Sequence, residues 1–433
     1  MRSLAALTLA LTLAGCGAPP AIPPVAPDMN PIAERYVKLV LQVGQHDENF
    51  VDAYYGDPSW KPTGAPIDLS ALAQTAEVLR GEVLKHAPKA ETAEEALQLR
   101  VNYLDKQILA VQTRIAMLRG EKLTFDQEAS RLYDATPPTL TVADFQPTIE
   151  ELERLLPGRG TLIERYTAYR RAFEIPTSKL DAVFRKAIDG CRARTLEHLA
   201  LPAGETFTVE YVTGKSWSAY NWYKGNYTSV IQVNTDLPTT IDRAIDLACH
   251  EGYPGHHVYN ALLEKHLVRD RGWVEFSVYP LFSPQSLIAE GTANFGIEVA
   301  FPGDARTAFE REQLYPLAGL DPKGAEKYAA IQRLVARLSY AGNEAARQYL
   351  DGKIDRAAAA AWLQHWGMMP KDRAEQRTRF IDQYRSYVIN YNLGQDLTRA
   401  YIERRGGTVD RPDVRWKLFG ELLSSPRMPS GLK

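Results

Sequence analysis

One nine-residue stretch decides how the rest of this sequence is interpreted: Cys249-His250-Glu251-Gly252-Tyr253-Pro254-Gly255-His256-His257. The chain has eight histidines, and three of them fall here, with a glutamate directly after the first. Imidazoles clustered around a carboxylate supply the ligands and the base of a catalytic divalent-metal site. A lone histidine is usually an ordinary polar helix residue, but three beside a glutamate predict a metal site.

The residues before this stretch predict the helix that carries it. Thr239 and Thr240 can cap a helix through their hydroxyls, and the apolar residues of 241–248 give that helix a buried face. In the His-Glu-x-x-His helix of zinc peptidases, the two imidazoles lie one turn apart. Here Pro254 occupies the position of the second imidazole. Together with Gly255, it predicts a kink or bulge in the helix.

The second histidine ligand has two candidates. In an unbroken helix, residues seven apart share a face, which favours His257 as the partner of His250. A bulge at Pro254 would bring a shifted residue into that position, which favours His256. We predict His250 and His256 as ligands. His257 is then a candidate for orienting a ligand or binding substrate, and it competes with Tyr253 as a further oxyanion donor. Asp246, one turn before the first ligand, could orient its ring or be a solvated carboxylate.

A third ligand and the catalytic groups come from other segments. Glu290 lies among small and apolar residues, where an unpaired carboxylate would be costly, and Glu298 is a weaker candidate. Glu251 is predicted to be the general base that accepts a proton from water. The developing oxyanion needs a donor, for which we favour Tyr391 over Tyr387. Tyrosines at this spacing can equally form an aromatic core stripe.

The rest of the chain predicts a mainly α fold. Of the 433 residues, 45% are hydrophobic and 24% are charged, as in soluble globular proteins. Helical periodicity recurs over 32–55, 68–119, 142–173 and 178–199, and again from 240 to about 404. Residues 204–236 alternate instead, which predicts a small antiparallel sheet beside the active-site cleft. The net charge of −2, without a dense basic stripe, indicates no nucleic-acid partner.

The N-terminus predicts a lipoprotein signal over residues 1–15. An apolar run ends in the tetrad Leu13-Ala14-Gly15-Cys16, so Cys16 would be lipidated and anchored in a lipid bilayer. A plain secretory signal is the alternative. Residues 16–31 are proline-rich and predict a tether, so residues 32–433 form the folded domain in the bacterial cell envelope. Cys191 and Cys249 are predicted to be buried small hydrophobes, not a disulfide framework.

The order His-Glu-x-x-Pro-Gly-His-His, followed by Glu290-Gly291, resembles a large bacterial family of uncharacterised secreted proteins and lipoproteins. These proteins are regarded as zinc peptidases of the gluzincin type. The resemblance covers residues 32 to about 405, and a late Tyr-x-x-Gly segment ending at Gly394 also matches. It implies a large helical metallopeptidase-like domain, bound Zn²⁺ and a peptide substrate. Residues 292–295 depart from the pattern of many relatives, which leaves the substrate preference open.

Three hypotheses for function follow. The first is a lipid-anchored zinc metallopeptidase that uses a metal-activated water, with Glu251 as the base. The second is a non-catalytic peptide- or metal-binding lipoprotein on the same scaffold, and the third is a metal hydrolase of another amide or an ester. Glu251 favours an enzyme, because a binding protein needs the ligands but not the base.

Two further segments could contact a substrate. The predicted strand 227–234 could pair with an extended peptide. Four arginines, Arg373, Arg377, Arg379 and Arg385, could hold a substrate carboxylate, although such a run is usually a solvated face.

Overall fold

A computed structural model of the protein describes residues 28–86 and 95–433. The predicted signal peptide, Cys16 and most of the tether lie outside these ranges. Within them the fold is mainly α with small sheets, which confirms the predicted class. No helix in the described ranges has the length and apolar character needed to cross a bilayer.

Along the chain, one group of helices precedes the larger sheet and a second group follows it. The helices before it are α1 (Asn30–Val43), α2 (Leu69–Lys85), α3 (Glu95–Leu118), α4 (Phe125–Tyr133), α5 (Val142–Leu155), α6 (Leu162–Arg171) and α7 (Leu180–Leu196). The helices after it are α8 (Ile241–Leu247), α9 (His256–Leu263), α10 (Pro284–Ala300), α11 (Ala305–Phe309), α12 (Tyr315–Ala318), α13 (Ala325–Arg337), α14 (Ala341–Leu350), α15 (Arg356–Trp366), α16 (Lys371–Tyr384), α17 (Ile389–Arg404) and α18 (Pro412–Leu423). Buried side chains from both groups share one large apolar core, and a smaller core lies around α5, α6 and α13.

The strands form two small sheets. They are β1 (Val51–Tyr54), β2 (Thr206–Val212), β3 (Ala219–Gly225), β4 (Thr228–Asn234) and β5 (Val278–Pro280). The larger sheet has the order β2-β4-β3, with β3 and β4 antiparallel but β2 and β4 parallel. The predicted purely antiparallel sheet is therefore mixed, because β2 enters beside β4 instead of β3.

The chain departs from the predicted elements near its start. Helix α1 begins at Asn30, inside the predicted tether, and ends at Val43. The predicted helix over 32–55 is wrong after that point, because Val51–Tyr54 is a strand that pairs antiparallel with β5. This pairing joins segments more than 200 residues apart in sequence, so local periodicity carries no sign of it.

The prediction for the two remaining cysteines needs correction. Cys191 and Cys249 are both fully buried, as expected, but they form a disulfide. Helix α7 packs against the chain segment that follows α8, and this packing brings the two Cα atoms to 5.5 Å. The bond joins α7 to the residue directly before His250.

Candidate metal centre

The histidine-rich stretch interrupts its helix, as the sequence predicts. Helix α8 runs into a π-helical turn over Ala248–Gly252, the next three residues are non-helical, and α9 starts at His256. The Gly255 N–H donates to the Cys249 carbonyl at 2.9 Å. A Cβ at residue 255 would lie 1.8 Å from the His250 carbonyl oxygen, so only glycine fits there. The interruption places His250 and His256 on one side.

The predicted threonine cap of α8 does not form. Thr240 is the N-cap residue, but its side chain makes no capping hydrogen bond. Its hydroxyl instead accepts a hydrogen bond from the Arg170 guanidinium at 3.1 Å. The tertiary contact with α6 therefore replaces the local one.

Three of the predicted ligands meet at one point. His250 Nε2 lies 3.1 Å from both Glu290 Oε2 and His256 Nε2. His256 Nε2 lies 3.6 Å from the same carboxylate oxygen. These three atoms lie within 4.8 Å of one another. Two imidazoles and one carboxylate are the protein ligands of a common type of catalytic zinc site.

The hydrogen bonds made by the other side-chain atoms of His250 and Glu290 leave His250 Nε2 and Glu290 Oε2 available to a metal. Asn294 donates to the Tyr391 carbonyl through Nδ2, so its Oδ1 faces His250 Nδ1 at 2.9 Å. That contact places a proton on Nδ1 and leaves the Nε2 lone pair directed at the triad. Tyr387 donates to Glu290 Oε1 at 2.7 Å, whereas Glu290 Oε2 is buried with no hydrogen-bond partner among the described residues. An orphaned carboxylate oxygen facing two imidazole nitrogens fits a cation.

Two carboxylates considered from the sequence lie in other contacts. Asp246 pairs with Arg243 at 2.9 Å and Arg306 at 2.7 Å, so it does not orient His250. Glu298 accepts a hydrogen bond from Gln395 at 2.6 Å and is not part of the triad. The orienting group is Asn294, which lies within the stretch that departs from the family pattern.

Charge couples the triad to neighbouring acids. Burial lowers the pKa of His256, but Glu290, Glu251 and Asp52 outweigh it and raise that pKa to about 9. Burial also opposes ionisation of Glu290, yet the two imidazoles hold the pKa of its carboxyl well below the usual range. Without a metal, the site therefore holds a proton on His256 beside an ionised Glu290.

His257 faces away from the triad. Its ring is fully buried, with Nε2 3.0 Å from Glu205 and Nδ1 2.9 Å from the Ser229 hydroxyl. Tyr253 donates to the same Glu205 carboxylate at 2.5 Å. The break before α9 puts consecutive residues on opposite sides, so His256 faces the triad while His257 ties α9 to the sheet. Both ring nitrogens are engaged away from the triad, so this geometry does not support a ligand-orienting, substrate-binding or oxyanion role for His257.

The predicted base and oxyanion donor line one cleft with the triad. This cleft has a volume of about 970 Å³ and includes Glu251 and Tyr391 in its walls. Burial raises the pKa of the Glu251 carboxyl, partly opposed by the two imidazoles. The Tyr391 ring lies 6.4 Å from the His250 ring, and its hydroxyl makes no hydrogen bond within the described part of the chain. Tyr387, in contrast, is engaged by Glu290.

Two glycines bring the tyrosines to the triad. A Cβ on Gly291 would lie 2.3 Å from the backbone of Gly394, and a Cβ on Gly394 would lie 2.6 Å from the Leu287 carbonyl. Helices α10 and α17 therefore touch backbone to backbone. This close approach gives a structural reason for both Glu-Gly and the late Tyr-x-x-Gly segment.

The strand of the larger sheet that lines the cleft is not the predicted one. β4 is the central strand, so it has no free edge for a peptide. β2 and β3 are the two edge strands, and residues 219–221 of β3 line the cleft. Asp52 of β1 also lines the cleft and accepts a hydrogen bond from Tyr220. Asp52 is not predicted from the sequence, because it lies within the helix predicted over 32–55, which is a strand at this point.

Metal affinity is expected to rise with pH. A metal ion must displace the proton from His256, whose pKa of about 9 keeps the ring protonated at neutral pH. The apparent dissociation constant for Zn²⁺ should therefore fall about tenfold between pH 7 and pH 8, since one proton is released per ion. Competition against a chromophoric chelator measures this slope. A dissociation constant that does not change over this interval contradicts the prediction.

Comparison with known proteins gives a shared fold. No model of a known protein family and no curated protein matches this chain. Among solved structures, the chain resembles a "putative lipoprotein" from Colwellia psychrerythraea, with a TM-score of 0.50 and 15% identity over 86% of this chain and 70% of that chain. It also resembles a "putative lipoprotein of unknown function" from Shewanella oneidensis, with a TM-score of 0.45 and 12% identity over 84% and 72% of the two chains.

Proposed function

We propose that this protein is a lipid-anchored zinc metallopeptidase of the bacterial envelope. The observation that carries the proposal is the buried Glu290 Oε2, which has no hydrogen-bond partner in the described part of the chain and faces the Nε2 atoms of His250 and His256. Zn²⁺ held by these three groups would polarise a peptide carbonyl and lower the pKa of water. The cleft beside the triad is large enough for a peptide segment.

Each catalytic residue would act from its own wall of the cleft. Glu251 accepts a proton from the attacking water and passes it to the leaving amine, and its raised pKa suits a group that must both take and release a proton. The Tyr391 hydroxyl donates to the developing oxyanion. Asn294 and Tyr387 hold the ligand side chains in position.

The proposed location rests on the tetrad that ends at Cys16 and on one structural feature. The Cys191–Cys249 disulfide suits an oxidising compartment such as the periplasm. The similarity in fold to a protein described as a lipoprotein agrees with this location.

Glu251→Gln is expected to lower peptide hydrolysis by about 10²- to 10⁴-fold while leaving Zn²⁺ bound, because it removes the base but no ligand. The wild-type and variant domains, without residues 1–27, would be assayed on a mixed peptide library, with bound metal measured by atomic absorption. Unchanged turnover would remove Glu251 from its role. A domain that folds without stoichiometric metal would refute the proposed metallopeptidase function. Bound metal without hydrolysis of any peptide, ester or other amide would indicate a binding protein instead.

A further inference from the structure

Arg377 of α16 is a half-buried cleft residue that forms no ion pair with any residue the structure describes. Its guanidinium lies over the rings of Phe380 at 4.8 Å and Tyr391 at 5.5 Å. Its Nε atom is buried without a hydrogen-bond partner, and no described residue forms a hydrogen bond or ion pair with the group. Burial lowers the pKa of Arg377, partly opposed by Tyr391 and by the charge of Glu290, and the arginine remains charged. A half-buried guanidinium without an ion pair has donors free for a ligand, so the geometry indicates a site for an anion.

Two other arginines of the cleft have acidic partners. Arg306 pairs with Asp246 at 2.7 Å and with Glu310 at 2.8 Å. Arg243 also pairs with Asp246. Arg170 and Arg373 line the cleft without an ion pair to any described residue, as Arg377 does, so Arg377 is distinguished by its position beside Tyr391.

The arginines of α16 near Arg377 differ in their exposure and in their contacts. Arg373, one turn earlier on α16, lines the same wall and donates to the Pro238 carbonyl at 2.9 Å. Burial, followed by the positive charges of Arg243 and Arg170, lowers the pKa of Arg373 to about 10. Arg379 is exposed on another face of α16. This wall of the cleft is therefore positively charged, and Arg377 is its residue beside Tyr391.

Tyr391 connects Arg377 to the candidate metal centre. The same ring lies 6.4 Å from the His250 ring and 5.5 Å from the Arg377 guanidinium carbon. An extended chain advances about 3.3–3.6 Å per residue. Three residues therefore cover most of the longest separation that these two spacings allow between the His250 ring and the Arg377 guanidinium. The planar guanidinium fork matches a carboxylate.

We propose that Arg377 binds the C-terminal carboxylate of the peptide substrate, so that the enzyme releases about one to three residues from the C-terminus. The inference rests on the proposed peptidase function and deepens it. The bond that breaks is the C–N bond of one peptide link. Water adds hydroxide to the carbonyl carbon, and Glu251 passes its proton to the amine of the leaving segment, whose carboxylate Arg377 holds. No other reactant is needed.

The test compares acetyl-tetra-alanine with a free carboxylate and the same peptide as its carboxamide. The wild-type domain is expected to cleave the acid with a kcat/KM at least about 30-fold higher. Arg377→Gln should remove this preference, and Arg377→Lys should restore part of it. Arg379→Gln removes the same charge from the exposed side of the same helix and should keep the wild-type preference. Equal cleavage of acid and amide by the wild-type domain would overturn the proposal.

Binding separates this inference from the peptidase proposal. The zinc-loaded Glu251→Gln protein, with and without Arg377→Gln, would be titrated with both peptides by calorimetry. Tighter binding of the acid that depends on Arg377 supports the carboxylate site even when no peptide is hydrolysed, an outcome in which only the peptidase function fails. Equal binding of both peptides overturns the carboxylate site and leaves the peptidase function intact.

Discussion

His256→Ala is expected to abolish stoichiometric zinc binding at micromolar protein, whereas His257→Ala is expected to retain it. The Nε2 atom of His256 lies 3.6 Å from Glu290 Oε2 and 3.1 Å from His250 Nε2, at the point where the ligands converge. Structural zinc sites with four ligands bind with about 10–16 kcal/mol, so one ligand contributes about 3 kcal/mol. The loss corresponds to a dissociation constant raised on the order of 10²-fold or more, measurable by chelator competition.

The adjacent histidine provides the matched control. His257→Ala removes the contacts to Glu205 and Ser229 and leaves a buried carboxylate with fewer donors, so its main effect should be on stability. We expect a loss of about 1–3 kcal/mol in the free energy of unfolding, seen as a lower unfolding midpoint with zinc still bound. A His257→Ala protein that loses zinc while His256→Ala keeps it would reverse this assignment.

Removing the Cys191–Cys249 disulfide is expected to have the largest effect on stability. Its two cysteines lie 58 residues apart in sequence, and closing a loop of this size in the unfolded chain corresponds to about 4 kcal/mol in the chain-entropy description. Cys191→Ser should lower the apparent free energy of unfolding by about that amount. Urea unfolding followed by tryptophan fluorescence measures the change.

The disulfide variant should also weaken the candidate metal centre, because Cys249 directly precedes His250 in the π-helical turn. Cys249→Ser should behave like Cys191→Ser, and wild-type protein unfolded with a reductant present should match both. If the reductant leaves the urea midpoint of the wild-type protein unchanged, the disulfide does not contribute in the proposed way.

The sequence alone predicts those parts of the candidate site whose residues lie close together along the chain. His250, Glu251 and the break at Pro254-Gly255 belong to one short segment, so spacing and backbone chemistry suffice to predict them. Glu290 is recognisable because a carboxylate among small and apolar residues needs a partner. The mainly helical fold follows from periodicity over long segments.

Only the tertiary structure distinguishes His256 from His257. The two residues are adjacent just after the break in the helix, and their side chains point in opposite directions, so only one of them faces the triad. The tertiary structure also supplies Asn294, Asp52 and the Cys191–Cys249 disulfide, whose partners lie on elements far away in sequence. The surroundings of Arg377 also depend on the tertiary structure. The sequence shows a run of arginines, but the position of Arg377 beside Tyr391, without an ion pair to a described residue, depends on how α16 packs against α17. Spacing along the chain specifies local geometry, whereas contacts between distant segments require the packed fold.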